Sequence, residues 1–354
     1  MEMRNMRTAE RLFSLYLLPD FSLLALSSAI EVLRLANEVV GSTRYKWRII
    51  SGNGEPVSSS CGMRVTVDAS LPYEREQLGK SAGPSMAVVC GGGTTPDAFK
   101  PLDTWLRECR NHRVALAGLA SGTFILARAG LADGRRCAIH WEHFPSFSEE
   151  FPDIEAQQTT FEVDGDLHTS PGGDASFDMF LNYVEEDSAR IVANRVCEKA
   201  MVDRVRDPGE RQRLPLQARV GINHRALIRV IELMEANVAE PLTLAQMAPS
   251  SGLSRRQIER IFHQEMGRSP ARYYLELRLE RAHLLLLSSP LPVIDIAMAC
   301  GFISASHFSK TYRETYGCSP QQARIAAAER RRVQHASSHA HSRPAVQALS
   351  AWAG

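Results

Sequence analysis

The chain has 354 residues, enough for two or three domains, and 44% of them are hydrophobic, as in ordinary globular proteins. No apolar run approaches the roughly 20 residues that a membrane-spanning helix needs, so we expect a cytoplasmic protein with no membrane partner. The formal net charge is only +1.

That charge is unevenly distributed along the chain. Residues 241–333 carry 13 Lys and Arg against 7 Asp and Glu, whereas residues 1–240 carry 27 against 33. An acidic N-terminal part (the front) and a basic C-terminal part are typical of a sensing domain joined to a nucleic-acid-binding domain. Two ordinary domains with different isoelectric points are the alternative.

Residues 8–200 alternate strand-like and helix-like segments. The predicted elements are, in chain order, a strand at 11–18, a helix at 23–40, strands at 45–51, 63–67 and 86–90, a helix at 103–111, a strand at 113–119, a helix at 121–129, a strand at 137–140, a hairpin of 161–164 and 167–169, and one helical stretch at 174–200. This alternation predicts an α/β domain, a parallel sheet flanked by helices. Ligands bind such folds at the carboxyl ends of the strands, where turns at 91–93, 120–122 and 171–173 are expected.

Different patterns follow this domain. Residues 201–222 are polar and basic and contain Pro208, Gly209 and Pro215, which predicts a linker. Residues 223–328 contain only helical patterns and predict an all-α domain. Residues 333–354 are rich in His, Ser and Ala and predict a disordered tail.

Seven cysteines are spread over the chain without a CxxC pair. Several of them, such as Cys90, lie in apolar runs. An odd, unpaired set indicates reduced and buried thiols, so we expect no disulfide framework, no metal site and no cofactor.

The helical part contains an internal repeat at an offset of 50 residues. The segment SRRQIERIF at 254–262, followed by GRSP at 267–270, matches SASHFSKTY at 304–312, followed by GCSP at 317–320. In both copies a serine, an apolar residue, a basic residue and an aromatic residue recur in register. A repeat of this kind is much harder to explain as simple helix packing than a single copy would be.

Each copy has the pattern of a helix-turn-helix unit. Gly252 is expected to supply the turn in the first copy, and Ser254 and Ser304 are expected to cap the second helix of their copies. Apolar residues four apart then form a buried stripe, and the opposite face is polar or basic. Such a helix is suited to lie in the major groove of DNA, while an all-helical packing module is the alternative.

This region resembles the AraC/XylS family of transcription regulators over about 100 residues. The resemblance is carried by GLSRRQIERIF at 252–262, residues 272–287, AMACGF at 297–302, HFSK at 307–310 and the Ser-Pro pair at 319–320. It implies that double-stranded DNA is bound at promoter direct repeats, often with activation of RNA polymerase. The base-reading candidates that it implies are Arg256, Glu259 and Arg260 in the first unit and Ala305, Ser306, His307 and Lys310 in the second. Pro249 departs from this picture, because it removes a backbone donor near the end of a helix.

The front domain resembles the DJ-1/PfpI fold, which is also that of class I glutamine amidotransferases. The resemblance is carried by LPDFSLL at 18–24, EVLRLAN at 31–37, CGGG at 90–93, GLASGTF at 118–124, LARAGL at 126–131, His140-Trp141 and TSPGG at 169–173. With the helical pair it matches the GlxA-like branch of AraC regulators, most closely those that respond to glycine betaine, carnitine or arginine. This branch implies a homodimer formed through the front domain.

Enzymes of this fold place a cysteine nucleophile on a tight strand-to-helix turn. Here that position falls on Ala120, and Leu24 and Ala25 occupy the region of the usual partner carboxylate. We therefore expect no enzyme activity. An amidohydrolase-like enzyme fused to a DNA-binding domain is one alternative, and a front domain that serves only dimerisation is another.

The same turns are expected to bind a small-molecule effector, an amine or an amino-acid-derived metabolite. The predicted ligand-binding residues are Gly91, Gly92, Ala120, Ser121, His140 and Trp141. The glycines would let the backbone approach the ligand, backbone amides near Ser121 would suit a carboxylate, and Trp141 would offer a cation–π surface. A core position for Trp141 and a structural hydrogen bond for His140 are the alternatives.

Overall fold

The computed structural model describes residues 10–81, 83–93, 99–203 and 206–329, so the predicted tail at 333–354 lies outside the described residues. The chain forms two compact units, of which the first ends at Gln212 and the second spans Arg213–Val333. Among the described residues, no helix combines the length and the apolar character that crossing a bilayer requires.

The first unit is an α/β domain, as predicted. Its elements are β1 (Arg11–Leu17), α1 (Leu23–Val40), β2 (Tyr45–Ser51), β3 (Val57–Ser58), β4 (Arg64–Val65), β5 (Ala69–Ser70), α2 (Leu71–Gln77), β6 (Met86–Cys90), α3 (Lys100–Asn111), β7 (Ala115–Leu119), α4 (Gly122–Arg128), β8 (Arg136–Ala138), α5 (Phe144–Glu150), β9 (Glu155–Gln157), β10 (Glu162–Asp164), β11 (Leu167–Ser170), α6 (Ala175–Asp187) and α7 (Arg190–Ala200). Seven strands form one sheet in the order β10-β11-β7-β6-β1-β2-β5. In the described sheet, β10 pairs antiparallel with β11 and the other pairings are parallel.

The sheet separates two hydrophobic cores. Strand β6 shows the division: Met86, Val88 and Cys90 point into the core that α1, α6 and α7 cover, while Ala87 and Val89 point into the other core. Successive strand residues face opposite sides, so a strand that is buried on both faces is apolar throughout, and this explains the unbroken apolar run of β6.

The predicted helical stretch at 174–200 is two helices, which corrects the sequence interpretation. The chain leaves the helical conformation at Ala189, with φ −171° and ψ 154°. The end of α6 is held by distant residues, because the Asp187 carboxylate accepts hydrogen bonds from Arg44 (2.8 Å) and from the Tyr45 hydroxyl (3.0 Å). The strands predicted at 63–67 and 137–140 are also shorter than expected, because β4 has only two residues and β8 only three.

The second unit is helical, as predicted. Its elements are α8 (Leu216–Val220), α9 (Arg225–Ala236), α10 (Leu244–Ser251), α11 (Arg255–Met266), α12 (Pro270–Ser288), α13 (Val293–Ala299) and α14 (Ala305–Tyr316), and residues 320–329 are again helical. The long helix α12 contributes to two separate cores. Tyr273 and Tyr274 pack in the core of the first repeat, whereas Leu279, Leu285 and Leu286 pack in the core of the second. A single helix therefore joins the two helix-turn-helix units.

Candidate nucleic-acid interface and cavity

The second helix of each repeat begins at a capping serine. The Ser254 hydroxyl accepts a hydrogen bond from the Gln257 amide (3.4 Å), and the Gln257 side chain accepts one from the Ser254 amide (2.8 Å). In the second repeat, the Ser304 hydroxyl accepts from the His307 amide (3.4 Å). These caps confirm the predicted helix starts and stabilise each helix by about 1 kcal/mol.

The turn before each of these helices contains a glycine with positive φ. Gly252 has φ 69° and Gly301 has φ 74°. A Cβ on Gly301 would also lie 2.8 Å from the Val238 carbonyl oxygen, so this turn needs glycine for space as well as for conformation. Pro249 does not interrupt α10, which continues to Ser251.

One face of each second helix is buried. Ile258 and Phe262 in α11, and Phe308 and Tyr312 in α14, are completely buried. This confirms the predicted stripes of apolar residues four apart. Because the stripe fixes the rotation of each helix about its axis, it also determines which residues remain at the surface.

The opposite faces carry the sequence-predicted DNA candidates. The exposed ones are Arg256, Glu259, Arg260, Ser306, His307 and Lys310, and Ala305 is half-buried. Two of them form ion pairs within their helix. Glu259 Oε1 lies 3.1 Å from Arg255 Nε, and Lys310 Nζ lies 4.0 Å from Glu314 Oε1. Both pairs are exposed, and such pairs add little to folding stability.

Four further exposed residues share these surfaces and were missed by sequence reasoning. They are Arg255, His263, Ile303 and Arg313. His263 follows Arg260 by three residues and Arg313 follows Lys310 by three, a spacing that could have identified both. No local signal distinguishes Ile303, whose side chain is fully exposed just before the cap of α14. Its counterpart in the first repeat, Leu253, packs against the core.

In the first unit, a cavity of about 330 Å³ lies at the carboxyl ends of three sheet strands. The residues that line it here are Gly92 and Gly93 after β6, Ala120 after β7, and residues 171–173 after β11. This is where an α/β sheet is expected to bind a ligand.

The glycines at this edge have different roles. A Cβ on Gly92 would lie 1.9 Å from the Asp20 carbonyl oxygen, and one on Gly172 (φ 94°) would lie 2.7 Å from the Ala120 Cβ. Ala120 itself has a positive φ of 52°, so an alanine occupies the strained turn between β7 and α4.

Gly91 and Ser121 do not line the cavity, in contrast to the sequence-based expectation. A Cβ on Gly91 would meet the Ser121 hydroxyl oxygen and the Gly122 amide nitrogen at 2.4 Å, so Gly91 is needed for packing rather than for a ligand. The Ser121 hydroxyl accepts a hydrogen bond from the Gly92 amide (3.0 Å), and the Ser121 amide donates to the Gly92 carbonyl oxygen (3.3 Å). The helix start near Ser121 is therefore already paired within the protein.

His140 and Trp141 do line the cavity, and His143 joins them. The His140 ring lies 5.6 Å from the Trp141 ring and 6.0 Å from the His143 ring, centroid to centroid. Burial lowers the pKa of both histidines below its ordinary value, although the nearby Glu142 carboxylate opposes this. Both imidazoles are therefore neutral at pH 7.

Among the described residues, the charged groups that line the cavity are two exposed carboxylates and one guanidinium. Glu142 and Asp174 are the carboxylates. The guanidinium belongs to Arg206, whose Nε donates a hydrogen bond to the buried Asp178 carboxylate (2.8 Å). A second guanidinium nitrogen of Arg206 lies 2.9 Å from the Asp174 carboxylate. Sequence reasoning missed His143, Arg206 and Gln212, which all line the cavity, because nothing in the local pattern marks them.

The two cysteines near these turns carry unreactive thiols. Cys90 and Cys137 are completely buried and do not line the cavity. Burial raises the pKa of both thiols, that of Cys137 to about 12. The thiolate is the reactive form, so both are inert at neutral pH.

Comparison with known proteins agrees with this architecture. The sequence profile of the DJ-1/PfpI family matches residues 15–186, and that of a helix-turn-helix domain matches residues 247–326. The HTH-type transcriptional regulator CdhR of Pseudomonas aeruginosa is 38% identical over 88% of this chain and 91% of its own length. GbdR of the same species is 37% identical over 87% of this chain and 82% of its own length.

A third relative, the HTH-type transcriptional regulator GlxA of Rhizobium meliloti, is 35% identical over 86% of this chain and 92% of its own length. All three similarities extend through both units. The chain therefore belongs to the GlxA-like branch of the AraC family, DNA-binding transcription regulators in which a DJ-1/PfpI domain precedes the AraC-type helix-turn-helix domain.

Proposed function

We propose that this regulator is a transcription activator that responds to a small amine or amino-acid-derived metabolite bound in the cavity of the first unit. It acts in the cytoplasm as a homodimer at promoter direct repeats, with RNA polymerase as its partner. The observation that carries the ligand response is the cavity itself, which lies at the ligand-binding edge of the sheet and combines aromatic rings with charges of both signs.

We assign DNA reading to the exposed faces of α11 and α14. Arg256, Arg260 and Lys310 are long cations opposite a buried stripe, which suits contacts to base edges or phosphates. Arg255, His263 and Arg313 extend the same basic faces. Ile303 offers an apolar contact to a thymine methyl group, since nothing in its own unit covers its side chain.

The lining of the cavity supports this ligand class. Trp141 and the neutral His140 provide aromatic faces for a cationic group, and Glu142 and Asp174 add negative charge. Arg206 is placed to attract a carboxylate. A zwitterion with a substituted ammonium or guanidinium group matches this distribution of charges.

The first test is affinity capture of sheared genomic DNA on the full chain, followed by sequencing. We expect a recurrent bipartite site with half-sites one helical turn apart, about 34 Å. The regulated genes next to the site would indicate the chemistry of the effector. A captured population without any shared sequence would contradict the assignment of α11 and α14 as base-reading helices.

The second test measures thermal stabilisation by glycine betaine, carnitine and arginine. A ligand at 100 times its dissociation constant adds about 2.7 kcal/mol to the free energy of unfolding. Trp141→Leu should abolish this gain. Trp47→Leu is the matched control, because Trp47 is half-buried in β2 and does not line the cavity. Equal stabilisation of both variants would remove Trp141 from the ligand site.

We further propose that the first unit has no hydrolytic activity. Three relatives over nearly the full length are named transcriptional regulators, and the nucleophile position carries Ala120. The test is turnover of glutamine and simple amides by the purified chain. Release of ammonia faster than the uncatalysed hydrolysis would contradict the proposal.

A further inference from the structure

Residues 206–212 of the first unit run beside the cavity and contact it at their two ends. We call this segment the strap. Arg206 and Gln212, at its two ends, both line the cavity. The next residue, Arg213, is the first residue of the helical unit. The strap is therefore both a part of the candidate ligand site and the end of the chain that leads to the DNA-binding unit.

The side chain of Gln212 holds one end of the strap. Its Nε2 donates hydrogen bonds to the carbonyl oxygens of Ile139 and Thr159, both at 2.8 Å. Its Oε1 accepts a hydrogen bond from the Trp141 amide at 2.9 Å. The amide group thus bonds on both sides to the backbone beside His140 and Trp141, the aromatic side of the cavity.

The backbone of the strap pairs with residues 158–160. Both the amide and the hydroxyl of Thr160 donate to the Glu210 carbonyl oxygen, at 2.9 and 3.0 Å. Thr159 and Arg211 lie directly opposite each other in an antiparallel bridge. Thr160 is buried and lines the cavity as well.

Arg206 holds the other end through ion pairs. Its guanidinium bonds Asp178, whose side chain is only 3% exposed, and Asp174, whose side chain is 76% exposed. The Arg206 side chain keeps 27% of its surface accessible. An anionic group of a ligand can therefore approach Arg206 without displacing it from Asp178.

We propose that the strap reports ligand occupancy to the DNA-binding unit, an inference that rests on the proposed binding of a small effector in this cavity. A ligand that contacts Arg206 and Gln212 gains those contacts only when the strap is docked. Ligand binding and strap docking then favour each other, and the coupling is reciprocal.

Docking changes the length of free chain before the DNA-binding unit. With the strap docked, three residues (213–215) separate Gln212 from the start of α8; with the strap released, ten residues (206–215) would be free. A shorter tether restricts the positions that the attached unit samples. In a dimer, this restriction lowers the entropic cost of placing two DNA-binding units on one DNA site. The docked strap is therefore the state with high affinity for DNA.

The test locks the strap with a disulfide. Thr159 and Arg211 are flanked by the hydrogen bonds Thr160 N to Glu210 O and Gln212 N to Gln158 O, so they form a non-hydrogen-bonded pair. The Cα atoms of such pairs lie about 4.5 Å apart, within the range that a disulfide spans. The variant carries Thr159→Cys and Arg211→Cys in a Cys61→Ser background, since Cys61 is exposed.

DNA affinity is then measured on a captured fragment for the oxidised and the reduced form of the same protein, without ligand. We expect the oxidised form to bind at least about five-fold more tightly. Each variant that carries only one of the two introduced cysteines should be insensitive to reductant. Equal affinities of the oxidised and reduced forms would overturn the proposal, as would failure of the two thiols to pair.

A ligand arm separates this proposal from the proposed function. Glycine betaine, carnitine and arginine are added to both forms, and we expect DNA binding to respond in the reduced form and to stay constant in the oxidised form. An equal response of both forms would overturn the strap as the reporter. If none of the three compounds stabilises the wild-type protein, the ligand class is wrong, while the comparison without ligand still decides on the strap.

Discussion

Replacing Lys310 with alanine tests the assignment of α14 as a base-reading helix. The Lys310 side chain is 77% exposed, and its ion-pair partner among the described residues is Glu314, which lies 4.0 Å away and is 63% exposed. Exposed pairs of this kind contribute about 0–1 kcal/mol to folding. Alanine is also the best helix former, so we expect the stability of the helical unit to change little.

The effect on DNA binding should be much larger. A side chain that bonds a base edge contributes about 1–3 kcal/mol of discrimination. Since about 1.4 kcal/mol corresponds to a factor of ten, the dissociation constant on the captured site should rise about 5- to 140-fold. Binding to random DNA should change far less.

The assay titrates the full chain against the captured site and against a random duplex of equal length, at two salt concentrations. Glu314→Ala is the matched control, because it removes the partner and keeps the cation, and it should bind at least as tightly as the wild type. An equal loss of affinity on both duplexes would show a phosphate contact instead. The slope of the logarithm of the binding constant against the logarithm of the salt concentration would then be smaller by about 0.9. If the affinity for the captured site falls by less than three-fold, Lys310 does not contact the DNA.

Three further outcomes follow from the geometry. Gly92→Ala should destabilise the first unit by about 3 kcal/mol in urea unfolding, because its Cβ would lie 1.9 Å from a backbone oxygen. Gly93→Ala should not, because its Cβ would have no described residue within 4 Å. The lowered pKa values of His140 and His143 mean that the unfolded state takes up protons first, so the stability of this unit should fall as the pH drops below about 6.5. Replacing both histidines with glutamine should weaken that dependence without removing it, because burial also lowers the pKa of His168. A melting temperature that rises on acidification would contradict it. Phe308→Ala removes a fully buried ring and should cost the helical unit about 3–5 kcal/mol, measured by the same unfolding assay.

Much of the helical unit could be predicted because its signals are local. The caps at Ser254 and Ser304 and the turn at Gly252 depend on residues within four positions of each other. The stripe of Ile258 and Phe262 follows from the period of a helix. The same holds for the buried strands of the first unit, whose apolar runs show that both faces are covered.

Other features depend on residues that are far apart in the chain. The helical stretch at 174–200 looks continuous, yet it ends at Asp187 because Arg44 and Tyr45, more than 140 residues earlier, bind that carboxylate. No pattern within 174–200 contains that information. The boundary therefore could be found only in the tertiary structure.

The candidate ligand site shows the same division. The sequence by itself determined the family, the two helix-turn-helix units, the glycine turns and the presence of an alanine, Ala120, in the turn after a buried strand. Only the tertiary structure decided that Gly92 faces the cavity while Gly91 packs behind it, and that Arg206 and Gln212 close one wall. The physical reason is that a cavity is defined by which distant segments meet, and the hydrogen bonds of Gln212 join it to residues 53 to 73 positions away.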